Sequence, residues 1–140
     1  MPPVARSVGA VVLGFVLIGA LAVGTDAMMI TTVLPGMYDA SGATRSVPLL
    51  LFTQLYVGAF ATFGCWLAAR LAPSRPMRHA IALGLLGLAF NAMGTAARWE
   101  QAPVWYHALA LALVMPYAWL GGWLRERQLE RRGAPAVAVA

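Results

Sequence analysis

Four polar or charged side chains interrupt or border long apolar stretches of the chain: Asp26, Gln54, Asn91 and Arg98. In hydrocarbon a polar group costs energy unless it is paired or wet, so each of these needs a partner or a ligand. Their depths follow from a helical rise of about 1.5 Å per residue. Asp26 comes 20 residues after Arg6, hence roughly 30 Å further on, at the far boundary of a bilayer core. Gln54 lies about 12 Å inward from Ser46, where its apolar run begins, and Asn91 roughly 18 Å beyond His79. Thr25, Thr95, Arg98 and Glu100 fall at similar levels or just above. The polar set therefore gathers in one half of the membrane, away from the chain termini. Asp26 and Arg98, both at helix ends there, are the expected opposite-charge neighbours.

Two arrangements satisfy this set. In one, the four residues are interhelical hydrogen-bond staples worth about 1 kcal/mol each. In the other, they line an outward-facing polar pocket for a small ligand, an ion or a lipid headgroup. Burying Asp26 alone would cost about 2.5–3.5 kcal/mol at mid-membrane and less near the interface, so a partner or water is required. Pro116, mid-way along the last apolar run, removes a backbone hydrogen bond and is the candidate hinge. Tyr56 and Tyr117 are the expected donors to the carbonyls freed near it.

Catalytic chemistry has little to draw on. The sequence has no serine–histidine–acid set, paired catalytic carboxylates, phosphate loop or metal-spaced cluster, and Asp26 is the one acid near a span interior. A non-enzymatic protein with no catalytic residue, metal or cofactor is expected. His79 and His107 fall on opposite sides of the membrane, too far apart to share an ion with ligand bonds of about 2 Å. Cys65 is alone, which excludes an intrachain disulfide and makes it a small packing residue.

The elements that must carry these residues are plain in the charge pattern. Four uncharged stretches, Ser7–Thr25, Ser46–Ala69, Ala80–Ala97 and Gln101–Leu124, fill about three fifths of the 140 residues. Each is close to the roughly 20 residues that a helix needs to cross a bilayer core. Apolar residues make up 61% of the chain and charged ones 11%, against roughly 25% charged in soluble domains. Helices apolar nearly all round belong in lipid, which excludes a soluble bundle. The expected fold is an all-α, four-helix transmembrane bundle forming one domain over residues 1–132. Its helices should run over about 4–33, 46–70, 78–97 and 104–127, followed by a disordered, low-complexity tail at 133–140. Pro35-Gly36 ends the first helix and Pro48 suits the first turn of the second. The uncharged run of the first helix exceeds the about 7–15 residues of a signal core, so a retained span is expected there.

All ten basic residues are arginine. Arg6, Arg70, Arg75, Arg78, Arg125, Arg127, Arg131 and Arg132 fall on one side of the four spans, and only Arg45 and Arg98 on the other. The positive-inside rule then makes both termini and the middle loop cytoplasmic. The net charge of +5 reads as topology and contact with anionic lipid, with no nucleic-acid partner. Trp99, Trp105 and Tyr106 mark the outer interface, Trp119 and Trp123 the inner one. Small residues four apart, Ala10 and Gly14, Ala20 and Gly24, Ala80 and Gly84, Ala92 and Ala96, let helix backbones approach closely.

Three segments carry a family likeness: Gly24-Thr25-Asp26, Ala69-Arg70-Leu71-Ala72-Pro73 with Arg75-Pro76-Met77-Arg78-His79-Ala80, and Pro103-Val104-Trp105-Tyr106 with Pro116-Tyr117-Ala118-Trp119-Leu120-Gly121-Gly122. On these the chain resembles an uncharacterised family of small four-helix bacterial membrane proteins, over its spans and not its tail. The resemblance implies the architecture and brings no activity. A multi-pass protein of the bacterial inner membrane is expected, with the lipid bilayer as its first partner. Minimal loops and abundant small residues point to an accessory or scaffold subunit, packed against another membrane protein or its own copies. The alternative is a small-ligand, lipid or ion binding or transport protein using the polar pocket.

Overall fold

The structure, a computed structural model, describes residues 3–133. Four helices, α1 (Pro3–Met28), α2 (Val47–Leu71), α3 (Pro76–Ala97) and α4 (Val104–Gly133), account for most of them, and no strand occurs among the described residues. All four are long and apolar enough to cross a membrane, α1 together with the turn that follows it. The chain is thus built as a multi-pass membrane protein, with the α1–α2 and α3–α4 loops at one end of the bundle. The α2–α3 turn, the start of α1 and the end of α4 are at the other.

Helix ends depart from the expected positions where local chemistry intervenes. Pro76 sits in the first turn of α3, so the helix begins at 76 rather than 78. A proline is suited to that place because the first N–H groups of a helix have no internal partner. The tight turn ahead of it holds Arg75 in the left-handed region, at φ 47°. Beyond residue 127, α4 continues to Gly133, since Arg125 through Arg132 are good helix formers with no breaker among them. Gly133 is therefore helical, and the rest of the expected disordered tail, 134–140, lies outside the described residues. At its far end α1 gives way to a single π turn, Met29–Val33, closed by the Leu34 N–H on the Met29 carbonyl at 3.0 Å. The Thr31 hydroxyl donates to the Ala27 carbonyl at 2.7 Å, and such back-bonding competes with the regular ladder.

In the bundle, α4 packs against α2 and α3, while α1 packs against α2 and more lightly against α3. That places α1 and α4 on opposite sides. The closest crossings are made by glycine and alanine. A Cβ added to Gly14 of α1 would stand 2.9 Å from the Gly64 carbonyl oxygen of α2. One added to Gly121 of α4 would stand 2.6 Å from the Thr62 carbonyl oxygen and 2.7 Å from the Cys65 Cβ. Gly84 faces Ala118, and Gly122 faces Ala80 and Met77. Between lipid-immersed helices there is no hydrophobic drive to associate, so such van der Waals contact between backbones has to hold them.

These crossings all lie toward the terminus end, around a buried cluster of Cys65, Ala68, Ala69, Ala80, Leu83 and Ala118. Of the four small-residue pairs, Ala10–Gly14 and Ala80–Gly84 are in this packed region. Ala20–Gly24 and Ala92–Ala96 are exposed.

The two kinds of glycine should respond oppositely to a methyl group. Gly121→Ala, pressed onto α2 backbone, should lower stability by about 1–3 kcal/mol. Gly24→Ala, with nothing within 4 Å of the new carbon, should leave stability unchanged or raise it by roughly 0.5–1 kcal/mol through helix propensity. Thermal unfolding of both variants in detergent, followed by circular dichroism, measures the contrast.

Candidate functional site

Toward the loop end the four helices enclose a cavity of about 760 Å³. Asp26 from α1, Gln54 from α2, Asn91 from α3 and Arg98 just after α3 all line it. Four residues picked from four separate places in the sequence therefore line one cavity. The volume falls within the roughly 300–1,000 Å³ typical of small-molecule sites. Pro116 is on the exposed side of α4, which stays helical through it, while Val114 and Tyr117 beside it face the cavity.

Asp26 takes its hydrogen bond from the Tyr56 hydroxyl of α2. The sequence pattern predicts Tyr56 for carbonyls freed near Pro116 and Arg98 as the partner of Asp26; the structure pairs Asp26 with Tyr56 instead. The antiparallel pairing of α1 and α2 explains the difference. Asp26 lies seven residues before Val33 and Tyr56 nine residues after Val47, so the two come to matching depth from the same end. Arg98 stands close enough to attract the Asp26 charge without being its hydrogen-bond donor. The Tyr56 bond occupies Oδ1 and leaves the other carboxylate oxygen for a further donor.

The other polar side chains are held differently. Gln54 is 7% exposed and presents to the cavity. Asn91 accepts from the Thr95 hydroxyl at 3.4 Å, a bond within α3 that keeps its NH2 free to donate. Among the described residues, the Asp26–Tyr56 bond is the one that joins a member of the set to another helix. The stapling arrangement accounts for Asp26 and leaves Gln54, Asn91 and Arg98 as cavity wall.

Sequence reasoning missed several lining residues. Tyr106, expected at the membrane interface, turns inward onto the cavity, as do Tyr38 and His107. His107 is 7% exposed, with Nε2 3.0 Å from the Trp99 carbonyl and its ring stacked on Trp99 at 5.0 Å. A carbonyl can only accept, so Nε2 is the donor in this contact. The available signal was position: Tyr38, Tyr106 and His107 all lie within a few residues of the helix ends where Asp26 and Arg98 sit.

Over the cavity the two loops are joined to each other. The Thr44 N–H donates to the Gln101 carbonyl at 3.3 Å, Gln101 Nε2 to the Ser41 carbonyl at 3.0 Å, and Arg45 Nη2 to the Glu100 carbonyl at 3.3 Å. The first loop is shaped by Asp39, whose Oδ1 accepts from the Ser41 hydroxyl at 2.6 Å, the Ser41 N–H at 2.8 Å and the Ala43 N–H at 2.9 Å. The Ser41 hydroxyl first, then the two backbone N–H groups, hold the Asp39 carboxyl below its ordinary pKa. Burial, and next the charge of Asp26, push the Tyr38 phenol above its own.

Among the described residues no three His, Cys, Asp or Glu side chains converge as metal ligands would. Comparison with protein-family models, with curated proteins and with solved structures finds no match to this chain.

The loop roof should be sensitive to acid through Asp39. Its pKa is depressed in the folded state, so its contribution is present above the ordinary value of 3.8 and is lost as pH falls through the folded value. Asp39→Ala should therefore lower the thermal midpoint at neutral pH. Its deficit relative to wild type should shrink once the pH drops below 3.8, as a pH series of melting curves for both proteins would record.

Proposed function

We propose that this protein is a non-enzymatic, membrane-embedded binding protein whose loop-end cavity holds a small molecule carrying polar or charged groups. A single observation carries the reading: Asp26, Gln54, Asn91 and Arg98, each costly in hydrocarbon, face one cavity of ligand size. The pairing of Asp26 with a neutral phenol supports it further. A tyrosine stabilises the carboxylate and leaves its charge available, whereas a direct arginine pair would have consumed it. The arginine distribution turns the cavity end of the bundle outward from a bacterial inner membrane. A scaffold role would use the exposed apolar faces of the helices, and lipid covers those equally well.

The test is a binding measurement on protein extracted gently from its own membrane, with whatever co-purifies identified by native mass spectrometry. One small molecule per protomer is expected. Losing a hydrogen bond to a charged group costs about 1.5–3 kcal/mol, so Asp26→Asn should weaken retention by ~10–100-fold. Gln54→Leu should weaken it as well, with less effect on stability. Retention that ignores both substitutions would remove the site from this cavity, and a stoichiometric second protein in its place would favour the scaffold role.

A further inference from the structure

The cavity wall is not equally closed on all sides. Its lining from α2 and α4 is buried or half-buried throughout, including Gln54 and His107 at 7% exposure each. The exposed helical lining comes from α1 and α3: Gly19 and Val23 on one, Phe90 and Gly94 on the other, with Val23 68% and Phe90 52% exposed. A Cβ added at Gly19 or Gly94 would meet nothing within 4 Å. Below this gap Phe15 and Phe90 bring α1 and α3 together, their ring centroids 4.8 Å apart. Above it the hydrogen-bonded loops form a roof. The side opening thus lies between two membrane-spanning helices and faces hydrocarbon; at the water-facing end the loops are bonded to each other, with Ser41 and Arg98 exposed beside them.

The interior is graded in the same direction. Its deep part is lined by Phe15, Ile18, Leu83 and Val114, and its loop end by Asp26, Arg98, Gln54 and Asn91. Asp26 supplies one negative charge and Arg98 one positive charge. Tyr38 and Tyr106 line the same cavity and are within electrostatic reach of Asp26. Gln54, more than nine-tenths buried, brings both an acceptor and donors into this polar end.

We infer that the occupant is a bilayer amphiphile with a zwitterionic headgroup, entering sideways between α1 and α3. Its ammonium meets Asp26, its phosphate meets Arg98, and its acyl chain lies along the apolar floor and the Gly19–Gly94 gap. A guanidinium is suited to phosphate oxygens through its fork of donors, and a carboxylate to an ammonium. An anionic lipid would leave Asp26 facing like charge, and a simple cation would leave Arg98 unmatched. The inference rests on the binding role proposed above and names its ligand class and route.

The experiment uses the full chain in detergent, with phosphatidylethanolamine and phosphatidylglycerol of identical acyl chains competing, read by native mass spectrometry. Soluble glycerophosphoethanolamine is offered separately. Wild type should retain one phosphatidylethanolamine per protomer, preferred over phosphatidylglycerol by about tenfold. Gly94→Phe and Gly19→Phe, which grow into open space, should each cut that retention about tenfold. Gly24→Phe, outside the lining, should not alter it. Asp26→Asn should abolish the preference between the two lipids. Circular dichroism and a monodisperse elution profile confirm that each variant is folded.

Equal retention of the two lipids, or phosphatidylethanolamine binding that survives both portal substitutions, would overturn the inference. If the soluble headgroup then binds in an Asp26-dependent way, the cavity remains a binding site and the lipid route alone falls. If no ligand responds to Asp26→Asn, the binding role falls with it.

Discussion

Everything in this bundle depends on how closely the helix backbones approach near the terminus end. Gly14 lies against Gly64, Gly121 against Thr62 and Cys65, and Gly84 against Ala118. In lipid, contact of this kind substitutes for the hydrophobic force that packs soluble helices. It requires residues with almost no side chain, and the chain places them where α1, α2, α3 and α4 cross. Nearer the loops the cavity is lined by large side chains such as Tyr106, Tyr117 and Gln54 beside small residues such as Gly87 and Ala110. The helices meet closely at one end and surround the cavity at the other.

That geometry explains why polar groups are tolerated within the spans. Asp26, Gln54 and Asn91 face a shared interior rather than acyl chains, so their hydrogen-bonding capacity is spent inside the protein or on what enters it. Tyr56 holds the Asp26 carboxylate from the neighbouring helix. The loops are joined across the end of the bundle through bonds that use backbone carbonyls as acceptors. Function and packing are thereby divided along the length of the same helices.

The spans were legible in the sequence because a run of about 20 uncharged, mostly apolar residues matches the thickness of a bilayer core and suits little else. The polar residues that converge were marked as well, since depth along a helix can be counted from its ends. Which of them touch was not legible. Depth matches Asp26 with Tyr56, Gln54, Thr95 and Arg98 alike, and only the azimuth of each helix selects Tyr56. Small-residue pairs had the same ambiguity: Ala80–Gly84 packs and Ala92–Ala96 faces outward, with nothing in the spacing to separate them. The roof was invisible for another reason. Backbone carbonyls of Ser41, Glu100 and Gln101 accept its bonds, and a backbone acceptor leaves no trace in residue type.

On the proposed reading, the loop-end half of the bundle encloses an occupied polar site rather than a set of helix-to-helix bonds. An electron cryomicroscopy or crystal structure of the protein in lipid nanodiscs, at a resolution that shows side chains, tests it most directly. Non-protein density is expected in the cavity within hydrogen-bonding distance of Asp26 and Gln54, with Gly14 and Gly64 still in contact below. A bundle closed along its whole length, with Gln54 and Asn91 bonded directly to neighbouring helices and no space between them, would contradict it.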